Sequence, residues 1–327
     1  MTEADIITFF NDFFPEKAQK SVALPQSGSS RKNFIVENSE GKFVITSNNN
    51  LAENQAFFYF SKIFSDLNLN TPTIFTINAE ENLYIQTFLG GETLSEIIAK
   101  EGESENVTDL VQKALHALFI LQKKTAGLID FKKTFEYESY NELPVLNDLF
   151  YFKNFFADVL ELPYQKSKII SEFLQLTKML GDLSPRCLML RDFQARNIMV
   201  KENNVFFIDY QAAMEGPLMY DVISFLFQAK ANFTENFKNK MLQYYFGLWQ
   251  NEDIENQLKN SVKPLQLIRF LQVLGAYGFR GLVQKKSHFI ASIPKGIENI
   301  QNFANSWDQM EEFPELKKLI QTLKLKS

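Results

Sequence analysis

The sequence predicts a two-lobed α+β protein, with a small antiparallel sheet and one helix up to about residue 88 and a mostly helical lobe beyond it. Two observations lead there. At 327 residues the chain exceeds what one hydrophobic core usually fills, and 45% hydrophobic residues suffice for two. Short apolar runs bounded by turn residues recur up to Phe88, whereas apolar residues at helical spacing dominate after it.

The elements follow in chain order. Residues 2–20 read as a helix whose apolar side is Ile6, Ile7, Phe9, Phe10 and Phe13. Between two strands lies the small-residue turn Gln26-Ser-Gly-Ser-Ser30, followed by Arg31 and Lys32; backbone N–H groups of such a turn, Ser29 among them, suit a phosphate. Lys42 to Thr46 reads as the third strand, and Leu51 to Leu67 as a helix with Ala52, Ala56, Phe57, Phe60, Phe64 and Leu67 along one face. Glu53, near its start, serves either as a first-turn acid or as the partner that orients a basic residue. Strands over Thr73 to Ile77 and Leu83 to Phe88 come next, then a glycine turn at Gly90 and Gly91. Helices are expected from Thr108 to Lys123, with His116 on its apolar side as a structural residue, and from Val145 to Leu160. Another runs from Ser167 to Leu180, closed by Gly181 as a left-handed cap. Pro264 is expected to open a long helix through Gly281, in which Gly275, Gly278 and Gly281 let a neighbour approach closely.

Composition excludes several functions. Lys and Arg number 34 against 39 Asp and Glu, a net charge of -5 without a basic stripe, so no nucleic-acid partner is expected. No run of about 18 apolar residues and no charged-then-apolar leader occurs, so a cytoplasmic protein without a membrane partner is expected. The single cysteine, Cys187, forms no internal disulfide and reads as a core thiol. With one Cys and two His, a metal cluster of those residues is ruled out.

Chemistry concentrates between Arg186 and Asp221. Apolar runs at Cys187 to Leu190, Ile198 to Val200 and Val205 to Ile208, the last two joined by the turn Lys201 to Asn204, read as a hairpin carrying acids at its ends. Asp192 and Asn197 flank a tight loop, and Asp209 leaves the next strand, so all three come to one edge. Magnesium prefers oxygen ligands and takes only one or two carboxylates, leaving places for water and phosphate. Asn197 and Asp209 offer those oxygens, and Asp192 remains to accept a proton from an attacking hydroxyl.

The order Arg191-Asp192-x-x-x-x-Asn197, then a strand and Asp209, resembles the kinase catalytic loop and its metal-binding Asp. Asp221, within Leu218-Met-Tyr-Asp-Val-Ile-Ser-Phe-Leu226, is similar to the aminoglycoside phosphotransferase branch of the kinase-like fold. The phrase Arg191-Asp-Phe-Gln-Ala-Arg-Asn-Ile-Met199 is similar to that branch's bacterial kinases, which phosphorylate N-acetylmuramate and N-acetylglucosamine at the anomeric hydroxyl. The resemblance implies a nucleotide-binding lobe over 1–88, a catalytic and substrate-binding lobe over 89–327, ATP and Mg2+ as cofactors, and a small-molecule, sugar-like acceptor. It also implies adenine contacts along the backbone from Gln86 to Phe88 and a phosphate role for the paired Arg31 and Lys32. Arg196, with Gln194, lies inside the loop as a fixed cation beside the transferring phosphate. Three positions depart from the pattern: Thr46 where the third strand carries a phosphate-pairing lysine, Leu190 where the loop carries His, and Asp209-Tyr210-Gln211 in place of Asp-Phe-Gly. The charge the lysine would supply then falls to Arg31, Lys32 or Lys42. An aminoglycoside or amino-alcohol kinase, and a nucleotide-binding regulatory protein, remain open alternatives.

Overall fold

A computed structural model describes residues 2–25 and 31–325. In chain order the elements are α1 (Glu3–Phe13), β1 (Lys20–Ala23), β2 (Lys32–Asn38), β3 (Gly41–Ser47), α2 (Leu51–Asp66), β4 (Ile74–Ile77), β5 (Leu83–Thr87), β6 (Glu92–Thr93), α3 (Leu94–Glu101) and α4 (Glu105–Thr125). Then come α5 (Glu142–Phe152), α6 (Lys166–Gly181), β7 (Arg186–Met189), β8 (Ile198–Lys201), β9 (Asn204–Phe207), β10 (Met214–Pro217), α7 (Met219–Leu226), α8 (Glu235–Leu248) and α9 (Glu252–Tyr277). The last helices are α10 (Ser287–Ile290), α11 (Ile293–Ser306) and α12 (Pro314–Thr322). None of the helices among the described residues is long and apolar enough to cross a membrane.

The chain forms two compact units, one of residues 1–138 with 190–213 and the other of 139–189 with 214–327. In the first, five antiparallel strands are ordered β1-β2-β3-β5-β4. Strand alternation sends Phe34, Val36, Phe43, Ile45, Leu83 and Ile85 to one face, where Ile6 and Phe10 of α1 cover them. On the other face, Phe57 of α2 lies 5.3 Å from the ring of Tyr84. A second sheet, β6-β8-β9, carries the loop of interest. Gly90, at φ +99, permits it: a Cβ there would lie 3.0 Å from the Val200 carbonyl oxygen.

Several boundaries differ from expectation for local reasons. The first helix stops at Phe13 rather than near residue 20, because Phe14 precedes Pro15 and is extended, at φ -92 and ψ 135. Helix α4 starts at Glu105 because Ser104 caps it, its hydroxyl accepting from the Val107 N–H at 3.1 Å. His116 is exposed rather than set in an apolar face. Gly181 is not a left-handed cap; it ends α6 in helical conformation, and Asp182 follows at φ -81. The expected hairpin is β8–β9 alone, turned by Glu202 and Asn203 at φ 52 and φ 58, while β7 pairs instead with the unanticipated β10.

In the second unit, Pro264 lies inside α9 rather than opening it. Its missing N–H and ring are tolerated because Pro264, Leu265, Leu267, Ile268, Leu271 and Leu274 are buried, and burial outweighs one lost helical bond. Close packing at the glycines is as expected. A Cβ on Gly275 would sit 2.8 Å from the Phe152 nitrogen, and one on Gly278 would sit 2.1 Å from the Phe155 carbonyl oxygen. Gly278→Ala therefore has to displace backbone, and urea unfolding should show a loss on the order of 3 kcal/mol. Gly247→Ala, where a Cβ meets nothing within 4 Å on α8, should instead gain about 0.5–1 kcal/mol. Equal effects at the two positions would contradict the packing argument.

Candidate active site

The loop after Leu190 is tied to itself at each turn. Arg191 takes the left-handed conformation, at φ 71, and the Asp192 N–H donates to the Leu190 carbonyl at 2.8 Å. Asn197, on the short turn Ala195–Asn197, donates its N–H to the Gln194 carbonyl at 2.8 Å. Its side-chain Nδ2 donates to the Asp192 carbonyl at 2.9 Å and lies 3.4 Å from Asp209 Oδ2. The Asn197 carbonyl accepts from Ile208 N–H at 3.0 Å, which joins the loop to the end of β9. Phe193 packs edge-on against Phe207, ring centroids 4.9 Å apart, and Asn70 bonds the backbone of Val205 and Phe207. Asp192, Asn197 and Asp209 thus stand together at one edge. Asp209 has φ 66, a left-handed position that Asp tolerates better than most residues. Tyr210 anchors it: the ring stacks 4.9 Å from Phe57, its hydroxyl lies 2.7 Å from that of Ser61, and burial pushes its pKa well up.

Arg31 reaches this edge from the start of β2. Its Nη2 bonds Asp209 Oδ1, its Nη1 donates to Gln211 Oε1 at 3.1 Å, and its Nε lies 3.6 Å from Glu53 Oε1. Burial disfavours the guanidinium charge, but the Asp209 carboxylate, with Glu53 and Tyr84 beside it, holds the pKa above its ordinary value. Gln211, buried, also donates to Asp209 Oδ1 at 3.1 Å. Thr46 is buried, donating to Asn33 Oδ1 at 2.8 Å and accepting from Gln86 Nε2 at 3.1 Å. Tyr84 lies on the same face, and burial pushes its pKa up to about 12. Sequence reading named Arg31 and Glu53 but not their contact, and it gave no role to Gln211 or Asn33.

The other candidates stand apart. Lys32 is exposed and belongs to the alternate face of β2, with Phe34 and Val36, because successive strand residues alternate. Lys42 lies 3.8 Å from Glu37 across the strand pair. Phe88 follows the last paired residue of β5, whereas Gln86 lies within the ladder, paired to Val44 and Ile74. Arg196 is exposed on its turn. Ser29 lies outside the described residues. In the second unit Asp221 is buried in the first turn of α7, and burial pushes the Cys187 thiol up, so it is a poor nucleophile.

The donor set fits magnesium. Asn197 spends its amide nitrogen on the Asp192 carbonyl and on Asp209 Oδ2, which leaves its side-chain oxygen to offer a hard cation. No group of three or more His, Cys, Asp or Glu that could hold a metal occurs among the described residues.

Residues 21–255 match the sequence profile of the phosphotransferase enzyme family. The chain belongs to that family. This phosphotransferase is 22% identical over 273 residues to the N-acetylmuramate/N-acetylglucosamine kinase of Pseudomonas aeruginosa, covering 80% of the chain and 76% of that protein. It is similar in structure to the gentamicin complex of APH(2″)-IIa, with a TM-score of 0.62 and 17% identity over 92% of this chain and 96% of that one. It is also similar to the ethanolamine kinase of Plasmodium vivax, with a TM-score of 0.58 and 14% identity over 86% of this chain and 82% of that one. The phosphotransferase therefore has the kinase-like fold, with an N-terminal antiparallel sheet and a mostly helical remainder.

Proposed function

We propose that this phosphotransferase moves a phosphoryl group from ATP, with Mg2+, to the anomeric hydroxyl of an N-acetylated amino sugar, N-acetylglucosamine or N-acetylmuramate. The observation that carries the chemistry is the gathering of Asp192, Asn197 and Asp209 at one edge through the Asn197 side chain. In this reading residues 1–88 form the nucleotide-binding lobe and 89–327 the catalytic and substrate-binding lobe. Asn197 and Asp209 hold the metal, which when bound neutralises charge on the phosphate oxygens. Asp192 aligns the acceptor hydroxyl and takes its proton. Arg31 meets the phosphates, with Ser29 and Lys32 nearby in sequence, and adenine lies along the backbone of Gln86 and Phe88. A protein working with ATP in this way is proposed to be cytoplasmic.

The acceptor is argued from charge. Besides Asp192 and Asn197, the loop offers an amide, Gln194, and an exposed cation, Arg196, which suit a neutral or acidic polyol better than a cationic aminoglycoside or amino alcohol. Sequence kinship to the amino-sugar kinase supports the same choice. A panel of sugars, aminoglycosides and amino alcohols, followed by ADP release, should give turnover with the two amino sugars. Turnover confined to the cationic acceptors would overturn the assignment.

Leu190 is 3% exposed, so a His there buries a polar ring beside the loop. Leu190→His is expected to lower stability by about 1–3 kcal/mol and to change the rate by far less than the roughly hundredfold of a general base. Steady-state kinetics beside urea unfolding check this, and a large rate gain would contradict it.

A further inference from the structure

In the kinase template a lysine on the third strand pairs with a helix Glu and meets the nucleotide phosphates. Here the third-strand position is Thr46, closed into an uncharged cluster with Asn33 and Gln86. The helix acid is nonetheless kept. Glu53 is held from one side by Asn48 Nδ2 at 2.8 Å and faces Arg31 Nε at 3.6 Å on the other. Asn33 is opposite Thr46, and Arg31 lies two residues before Asn33, just ahead of β2.

The remaining guanidinium nitrogens are spent on Asp209 and Gln211. Asp209 is the carboxylate that the proposed function gives to magnesium, so one residue touches both the helix acid and a metal oxygen. Arginine can do this because its planar fork presents five donors at once. A cation on that carboxylate opposes the entry of a second cation, and phosphate oxygens that offer the guanidinium a new partner relieve the opposition.

We propose that Arg31, held by Glu53, supplies the phosphate-binding charge missing at Thr46, and that it exchanges Asp209 for nucleotide phosphates as the metal arrives. Metal and nucleotide then enter as a unit, and free metal binds poorly. Gln211 bridges the exchange, since it already contacts both partners. The inference rests on the assignment of Asp209 to magnesium under the proposed function.

The test measures two affinities on the full chain: Mn2+ alone, from the free-ion paramagnetic resonance signal, and ADP with Mg2+, by calorimetry. Arg31→Gln should tighten Mn2+ binding without nucleotide by about tenfold and weaken magnesium ADP by about tenfold to a hundredfold, the worth of a charge-assisted bond. Arg31→Lys, which keeps the charge but not the fork, should give smaller changes of the same two signs. A structural role alone would weaken both affinities, and that result, or an unchanged ADP affinity, would overturn the exchange. If circular dichroism shows that Arg31→Gln does not fold, Arg31→Lys decides: Mn2+ affinity that does not rise overturns the proposal. A wild-type protein that binds no magnesium ADP would overturn the nucleotide reading itself, and the exchange with it.

Discussion

Asp192→Asn is expected to lower turnover by about a hundredfold to ten-thousandfold, the range of a positioned general base. Nucleotide affinity should hardly change. The loop is kept in shape by backbone atoms of Asp192, its carbonyl accepting from Asn197 and its N–H donating to Leu190, and the substitution leaves both in place. What it removes is the carboxyl group proposed to take the acceptor's proton. An anomeric hydroxyl is more acidic than an ordinary alcohol and needs less help, so the loss should fall toward the lower end with an amino sugar. Single-turnover rates beside calorimetric ADP affinity check the separation; full activity in the variant would remove the role.

Asp209→Ala should abolish the metal-dependent part of nucleotide binding. With magnesium nucleotide at about a hundred times its Kd, the wild-type protein should gain roughly 2.7 kcal/mol of stability by mass action, and the variant should lose that gain. The substitution also takes from Arg31 its closest carboxylate, but Glu53 and Gln211 remain as partners, so the unliganded fold should survive. Thermal unfolding with and without magnesium ATP reads the difference directly. An equal shift in both proteins would show that Asp209 does not hold the metal.

Much of this site could be read from residue order because its geometry is local. Asp192, Asn197 and Asp209 lie on one loop and hairpin, and the turn Lys201 to Asn204 fixes their register. Helical spacing likewise foretold α2 within a residue of its observed end. What stayed hidden depended on distant pairing. Nothing near Arg31 in sequence says that its guanidinium meets Asp209 and Gln211, 178 and 180 residues away. The β7–β10 ribbon was missed because Met214-Glu-Gly-Pro217 carries two poor strand formers and no alternation. Pro264 misled because local propensity favours a helix start, whereas the buried face of α9 decides otherwise. Lys32 shows the limit of adjacency: beside Arg31 in the chain, it belongs to the opposite face.

The central claim is that phosphate passes from ATP to an anomeric hydroxyl. Phosphorus NMR of wild-type protein incubated with ATP, Mg2+ and N-acetylglucosamine or N-acetylmuramate tests it most directly, because coupling of the new phosphorus signal to the sugar's anomeric proton identifies the bond formed. The account predicts a sugar 1-phosphate that grows as ATP declines and is nearly absent with Asp192→Asn. Phosphate on any other hydroxyl, or ATP left intact with both sugars, would contradict it.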